Sequence, residues 1–200
     1  GKNNYKGNEV HIKPIEEVIN DVRLFLENGA DEIFLMTTAN FNQELYLQYI
    51  SEIKKILPKK INFVANIGDF NLEYALELKN RGITGAYHIC RLGESVDTDI
   101  TIDTRIKTLE AITRSGLELY YCVEPIGPEH SNEQIVTEIF RAKEYPVKVM
   151  AAMKRVVIPG TLAYSRGEIT NATLAKITAI ATLCVRPKRA MGVHEPDELC

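Results

Sequence analysis

The chain has 200 residues, of which 45% are hydrophobic and 26% charged, and its formal net charge is -3. This average composition excludes a disordered, collagenous or disulfide-stapled chain. Neither half of the chain is strongly basic, so we expect no nucleic-acid partner. We also expect no membrane partner, because no apolar run is long enough to span a bilayer and the polar start does not resemble a signal peptide. The four cysteines are widely scattered without a CxxC spacing, which predicts no metal ligands or disulfides and favours a cytoplasmic protein.

One unit recurs along the whole chain: a helix, a short apolar strand and a polar loop. The first helix is predicted over 14–29, where apolar residues recur at helical spacing, and Gly29 is expected to close it. The first strand is predicted over 32–36. Further helices are predicted over 41–57, 70–81, 102–115, 131–144 and 170–183, and further strands begin near residues 61, 83, 117, 147 and 188.

This alternation of helices with nearly continuous apolar strands predicts an α/β fold with a parallel sheet. Doubly wound and barrel topologies both fit six strands. A complete (β/α)8 barrel needs about 250 residues, and the chain opens on a helix and stops just after a strand. We therefore interpret residues 1–200 as one incomplete TIM-barrel-type domain that lacks the first strand. Its exposed sheet edges would favour self-association.

Polar side chains gather in the loops that follow the predicted strands, where parallel α/β folds bind their ligands. These candidates are Thr37, Thr38, Asn66, Arg91, Glu94, Glu124, Lys154, Arg155, His194 and Glu195. Together they could hold a zwitterionic, hydroxylated ligand, with carboxylates binding an amine, an arginine binding a carboxylate, and hydroxyls binding a ribose. The sequence contains no glycine-rich phosphate loop and no HExxH motif.

Several candidates also have a purely structural interpretation. On local grounds, the turn over 37–40 is more typical of a helix start with Asn40 or Asn42 as its cap. Glu94 is equally consistent with a loop charge in water. Arg105 lies one turn into a predicted helix, a position that is usually solvated.

Two further candidates on strands, His88 and Met153, also have a structural interpretation, whereas the pair His194 and Glu195 favours a functional one. His88 is more typical of a core histidine with satisfied hydrogen bonds, and Met153 of a packing residue. His194 and Glu195 are two ionisable groups at the end of an apolar strand, which favours a functional role. Because a neutral imidazole costs less to bury than a carboxylate, we expect His194 to face the interior.

Four segments carry a family resemblance: GADEIFLMTTANF, VANIGDFNLEYALELKNRGITGAYHICRL, DTRIKTLEAITRSGLELYYCVEPIGPEHSNEQIV and VVIPGT. In this order they resemble the radical S-adenosylmethionine (SAM) superfamily, in its biotin synthase-like branch. The segments GAYHICRLGESVDT, YYCVEPIGPEH and MGVHEPDE are most similar to one subgroup, the HmdB proteins. That subgroup is linked to making the iron-guanylylpyridinol cofactor of [Fe]-hydrogenase.

The resemblance implies a radical mechanism. In this superfamily, three cysteines after the first barrel strand bind a [4Fe–4S] cluster, and SAM chelates its remaining iron. Reduction cleaves SAM to methionine and a 5′-deoxyadenosyl radical, which takes a hydrogen atom from a small-molecule substrate. The protein orients the reactants and excludes water.

The resemblance also assigns roles to individual residues of this chain. Thr37 and Thr38 match a turn that contacts the SAM amino group, and Asn66 matches a residue near the ribose. Arg105 matches an arginine that pairs with the SAM carboxylate, a bidentate role that suits a guanidinium. In this superfamily the fourth barrel strand ends with an acidic residue against SAM; in this chain Arg91 aligns at that position, and Glu94 lies three residues further on. The remaining assigned residues are expected to face the substrate cavity. His88, Met153 and Lys154 would bind the substrate, and His194 and Glu195 would act in catalysis.

The chain departs from the superfamily in having no cysteine triplet. The 200 residues alone are therefore expected neither to bind the cluster nor to catalyse, and the leading interpretation is a portion of a radical SAM enzyme. One alternative is another biotin synthase-like enzyme that acts on an amino acid or a cofactor precursor. A second is a non-catalytic barrel fragment that binds a small ligand or a partner.

Overall fold

A computed structural model describes residues 11–161 and 163–191. The helices are α1 (Ile15–Glu27), α2 (Gln43–Ile56), α3 (Leu72–Asn80), α4 (Ile102–Ser115), α5 (Asn132–Lys143) and α6 (Asn171–Val185), with a short 3-10 helix at Tyr164–Arg166. The strands are β1 (Glu32–Met36), β2 (Asn62–Asn66), β3 (Gly85–Tyr87), β4 (Glu118–Ile126), β5 (Val147–Lys154) and β6 (Arg189–Met191). All neighbouring strands pair in parallel, in the order β1-β2-β3-β4-β5-β6. The predicted α/β fold with a parallel sheet is confirmed.

The helix boundaries follow local signals that the sequence already contains. Ser131 and Gln134 form a reciprocal capping box at the start of α5, and the Thr170 side chain caps α6. Of the two asparagines proposed as the cap of α2, Asn42 is the one used, accepting from the Leu45 amide. Gly116 ends α4 with a left-handed backbone conformation, at φ +71°.

The third strand is shorter than predicted. The sequence favours a strand over 83–90, but only Gly85–Tyr87 pair as one. His88 N still donates to Tyr120 O on β4, whereas Cys90 N donates to the Tyr121 hydroxyl instead of a strand carbonyl. Residues 88–90 therefore continue as a buried loop.

The sheet curls until its two edge strands approach each other. Glu32 on β1 forms an ion pair with Arg189 on β6, although these strands share no ladder. The same carboxylate accepts from the Tyr120 hydroxyl at 2.6 Å and from Asn62 Nδ2 at 2.9 Å. Above it, Phe34 packs edge-on against Tyr120 with ring centroids 5.4 Å apart. These inward-facing contacts give the sheet the curvature of an open barrel wall.

The main hydrophobic core lies between the outer face of this sheet and the helices. Its largest fully buried side chains include Tyr46, Phe63, Leu78, Leu109 and Ile139. With the helices filling one face, ligands have access to the sheet at its carboxyl end and inner face. In the part of the chain that the structure describes, no helix is both long and apolar enough to cross a bilayer.

Candidate functional site

A cavity of about 270 Å³ opens at the carboxyl ends of β1, β2 and β3, beside the start of α4. Six predicted site residues line it together: Thr37, Thr38, Asn66, His88, Arg91 and Arg105. They are contributed by three successive loops and one helix, so only the fold brings them together. The remaining wall consists of Ala39, Ile67, Gly68, Tyr87 and Ile89.

The hydroxyl turn after β1 is held against the loop after β2. Thr37 N donates to Asn66 O at 2.9 Å, which continues the β1–β2 pairing into the turn. Gly68 lets the two loops approach closely, since a Cβ atom there would lie 1.8 Å from Ala39 O. The two threonines and the Asn66 side chain are thereby presented on one side of the cavity.

Arg105 is buried and held by two carboxylates. Its Nε donates to Glu94 Oε2 at 2.8 Å, and its Nη1 lies 3.2 Å from Asp69 Oδ2. Its Nη2 makes no hydrogen bond with the described residues, and it is not among their buried unpartnered atoms. One edge of the guanidinium therefore remains open at the cavity. The local interpretation of Arg105 as a solvated helix residue is wrong, because Arg105 is only 7% exposed.

Glu94 also differs from its local interpretation as a solvated charge. It is 5% exposed and does not line the cavity. Besides Arg105, its carboxylate accepts from the Thr98 hydroxyl and from Arg91 N at 3.3 Å. In this structure Glu94 holds Arg105 in place from behind the wall.

His88 is buried at 3% exposure and faces Asp69, with 3.2 Å between His88 Nε2 and Asp69 Oδ1. His88 Nε2 is the one buried polar side-chain atom of the described residues without a well-aligned hydrogen-bond partner. Burial lowers the pKa of His88 despite the neighbouring carboxylate, so the ring is neutral at pH 7. Burial acts to raise the pKa of Asp69, but His88 and Arg105 outweigh it and lower that pKa.

Arg91 forms a second ion pair at the inner side of the cavity. Its Nη1 lies 2.9 Å from Glu124 Oε1, at the carboxyl end of β4. Tyr87 lies beside this pair, and burial together with Cys122 and Glu124 raises the pKa of its hydroxyl. Tyr87 therefore stays protonated and able to donate.

The sequence candidates did not include Asp69 or Tyr87, and Glu124 was a candidate to which the resemblance assigned no role. Glu124 was recognisable as a strand-end carboxylate, and Asp69 follows β2 in the polar run NIGDF. Neither position indicates a partner by itself, because each partner lies more than 30 residues away in the chain.

Two assigned residues lie away from this cavity, at the end of β5. Lys154 Nζ donates to Asn171 Oδ1 at 2.8 Å and lies 3.9 Å from Glu168 Oε2. Met153 is partly buried against the main core. His194 and Glu195 lie outside the described residues, so their catalytic assignment stays a prediction.

The polar groups of the cavity fit SAM. Hydroxyls and an amide oxygen can accept from an ammonium or a ribose, and the open edge of Arg105 can donate to a carboxylate. An iron–sulfur cluster does not fit the described residues, among which no three His, Cys, Asp or Glu side chains are grouped to hold a metal. Burial also raises the pKa of Cys90 to about 12 and that of Cys122 well above its usual range, so both remain thiols.

Comparison with known proteins was made in sequence and in fold. No family model matches the chain. In sequence, the chain is similar to biotin synthase from Nautilia profundicola, with 28% identity over 143 residues that cover 68% of this chain and 51% of the relative. In fold, it is similar to the [FeFe]-hydrogenase maturase HydG from Carboxydothermus hydrogenoformans, with a TM-score of 0.73 and 15% identity over 94% of this chain and 49% of that one.

A further solved structure is that of SuiB from Streptococcus suis bound to S-adenosylmethionine. It matches with a TM-score of 0.65 and 14% identity over 94% of this chain and 45% of that one. The chain spans about half the length of the relatives it matches. The chain shares the α/β fold of these two solved structures. The sequence match is to a biotin synthase, and the two solved structures agree with this chain in architecture.

Proposed function

We propose that the intact protein is a radical SAM enzyme and that the cavity beside Arg105 binds SAM. The observation that carries this proposal is the meeting of hydroxyl, amide and guanidinium groups from four chain segments in one cavity. When bound, SAM and a [4Fe–4S] cluster supply a 5′-deoxyadenosyl radical that abstracts hydrogen from a small-molecule substrate. The relationship to biotin synthase-like proteins supports both cofactors.

Each cavity residue has a distinct task in this proposal. Thr37 and Thr38 accept from the SAM ammonium, and Asn66 binds the ribose. The open Nη2 edge of Arg105 donates to the SAM carboxylate, while Glu94 keeps that edge turned to the cavity. Short contacts between charged partners of this kind are the strongest hydrogen bonds available to the site.

We further propose that the substrate is a precursor of the guanylylpyridinol cofactor of [Fe]-hydrogenase. The HmdB-like segments GAYHICRLGESVDT, YYCVEPIGPEH and MGVHEPDE support this assignment. The sequence match to biotin synthase is equally consistent with another amino acid or cofactor precursor. The cluster ligands would belong to a part of the protein outside these 200 residues.

The class of reaction is tested with the intact protein reconstituted with iron and sulfide without oxygen. After reduction in the presence of SAM, we expect 5′-deoxyadenosine, measured by liquid chromatography and mass spectrometry. The 200-residue chain treated in the same way should show no iron–sulfur absorbance, because thiolate ligands are required. Absence of 5′-deoxyadenosine from the intact protein would refute the proposed class.

The SAM site is tested by Arg105→Ala in the intact protein. A hydrogen bond to a charged group contributes about 1.5–3 kcal/mol, so SAM affinity should fall about tenfold or more. Arg105→Lys should recover only part, because an ammonium lacks the planar fork. Arg114→Ala, at an exposed position on the same helix, is the matched control. Unchanged SAM binding in Arg105→Ala would remove Arg105 from the site.

The catalytic assignment of His194 is tested separately from the SAM site. If His194 positions or deprotonates the substrate, His194→Gln should leave SAM cleavage intact and strongly lower substrate-dependent product formation. Glu195→Gln is the companion variant. Loss of product in Glu195→Gln alone would reverse the assignment of the two residues.

A further inference from the structure

A second cavity, of about 440 Å³, lies between α5 and α6 in the helix layer, beside the carboxyl end of β4. It shares no lining residue with the cavity beside Arg105. Its walls are mostly isoleucine and valine side chains, including the buried Ile126, Ile135 and Ile139. A cavity of this size, with apolar walls and a few polar groups, is typical of a site for a small organic ligand.

His130 contributes a buried hydrogen-bond donor to this cavity. Its side chain is only 5% exposed, and its Nδ1 accepts from Gly127 N at 2.9 Å. Because a backbone N–H can only donate, Nδ1 carries no proton, and the ring proton lies on Nε2. Nε2 makes no hydrogen bond with the described residues, since Glu129 Oε1 lies 3.9 Å away and pairs with Arg155. It is not among their fully buried unpartnered atoms either, so this N–H remains open at the cavity.

Lys176 is the one charged side chain among the residues that line the cavity. It is exposed, it is the only charged residue of α6, and it forms no ion pair within the part of the chain that the structure describes. Val136 and Ile180 are 43% and 40% exposed and form the apolar part of the opening. The cavity thus combines an apolar interior, a free N–H donor and a cation without a counter-ion.

We propose that the cavity between α5 and α6 binds a small organic anion with an apolar body and a single carboxylate. The apolar body occupies the space lined by isoleucine, and the carboxylate accepts from His130 Nε2 and Lys176 Nζ. One N–H donor and one cation match a head group with a single negative charge. A phosphate, with its larger charge and three acceptor oxygens, would be left partly unmatched. The proposal does not depend on the proposed SAM site.

The test compares n-octanoate with n-octanol, which share an apolar chain and differ in the head group, in calorimetric titrations of the intact protein. Octanoate should bind with one equivalent per chain and at least about tenfold more tightly than octanol, as expected for hydrogen bonds to a charged group. This comparison needs no variant. If octanoate does not bind, or if octanol binds equally well, the proposal is overturned.

Two variants locate the binding. His130→Asn keeps an acceptor oxygen near the position of Nδ1 but has no donor at Nε2, so octanoate affinity should fall about tenfold. Lys176→Met keeps the apolar stem and should weaken octanoate about threefold, as for a partly exposed ion pair, without weakening octanol. Lys107→Met, at an exposed position on α4, removes the same charge elsewhere and should leave binding unchanged. Octanoate binding that survives both His130→Asn and Lys176→Met, or a His130→Asn variant that weakens octanol as much as octanoate, also overturns the proposal.

Discussion

Removal of the Glu94 carboxylate tests whether the buried network holds Arg105 in place. The Glu94 side chain is 1% exposed and accepts from Arg105, Thr98 and the Arg91 amide. Glu94→Ala leaves the Arg105 guanidinium buried with Asp69, at 3.2 Å, as its remaining anionic contact. Breaking a buried ion pair costs about 3–5 kcal/mol. Because the Asp69 contact survives, we expect the free energy of unfolding to fall by about 3 kcal/mol, at the lower end of that range.

The assay is urea unfolding of the intact protein at pH 7, with the slope against denaturant checked for constancy. Glu94→Gln keeps the side-chain shape and one acceptor oxygen, so its loss should be smaller, about 1–2 kcal/mol. Glu110→Ala, at an exposed position on α4, should change stability by less than about 0.5 kcal/mol. If Glu94→Ala costs no more than this control, Glu94 is not holding Arg105 and the charge network described here is wrong.

Three further predictions concern the turn at the cavity, the rim and the sheet edges. Gly68→Ala should lower stability by about 1–3 kcal/mol and weaken SAM binding, because its Cβ would force the Ala39 carbonyl away; unaltered unfolding and SAM titrations would contradict this. Arg155 lowers the pKa of Glu129 to about 2, so the stability that Glu129 contributes is present above pH 4.5 and is lost as the pH falls towards 2. Glu129→Gln should therefore flatten the pH dependence of unfolding in that window, and an unchanged slope would refute the assignment. We also expect concentration-dependent self-association of the 200-residue chain through the edges β1 and β6, measured by sedimentation velocity; a monomer at all concentrations would contradict it.

Much of the fold could be predicted from the sequence because its signals are local. The Ser131 capping box joins groups only three residues apart, and α4 spans the predicted 102–115 because Thr101 caps it and Gly116 ends it. β1 likewise spans the predicted 32–36. The end of β3 was not predictable in this way. The sequence predicts one strand over 83–90, but pairing stops after Tyr87, and Cys90 N donates to the hydroxyl of Tyr121 in another strand.

The candidate site shows the same division at the level of single residues. The position of a strand-end polar group is readable from the sequence, and four such candidates line one cavity together with His88 and Arg105. The partners of these groups are not readable. Helical spacing describes Arg105 only relative to its own helix, whereas Asp69, 36 residues earlier, and Glu94, 11 residues earlier, accompany its burial.

The sequence by itself determined the alternation of helices and parallel strands, the helix caps and the edge of the sheet at which polar groups collect. These features depend on hydrogen bonds and hydrophobic periodicity within a few residues of each other. Only the tertiary structure decided which of those groups are buried, which are paired and which remain open to a ligand. Burial and ion pairing depend on side chains from different loops converging in space, so the pairing of Arg105 with Asp69 and Glu94 and the open edge of Arg105 exist only in the folded chain.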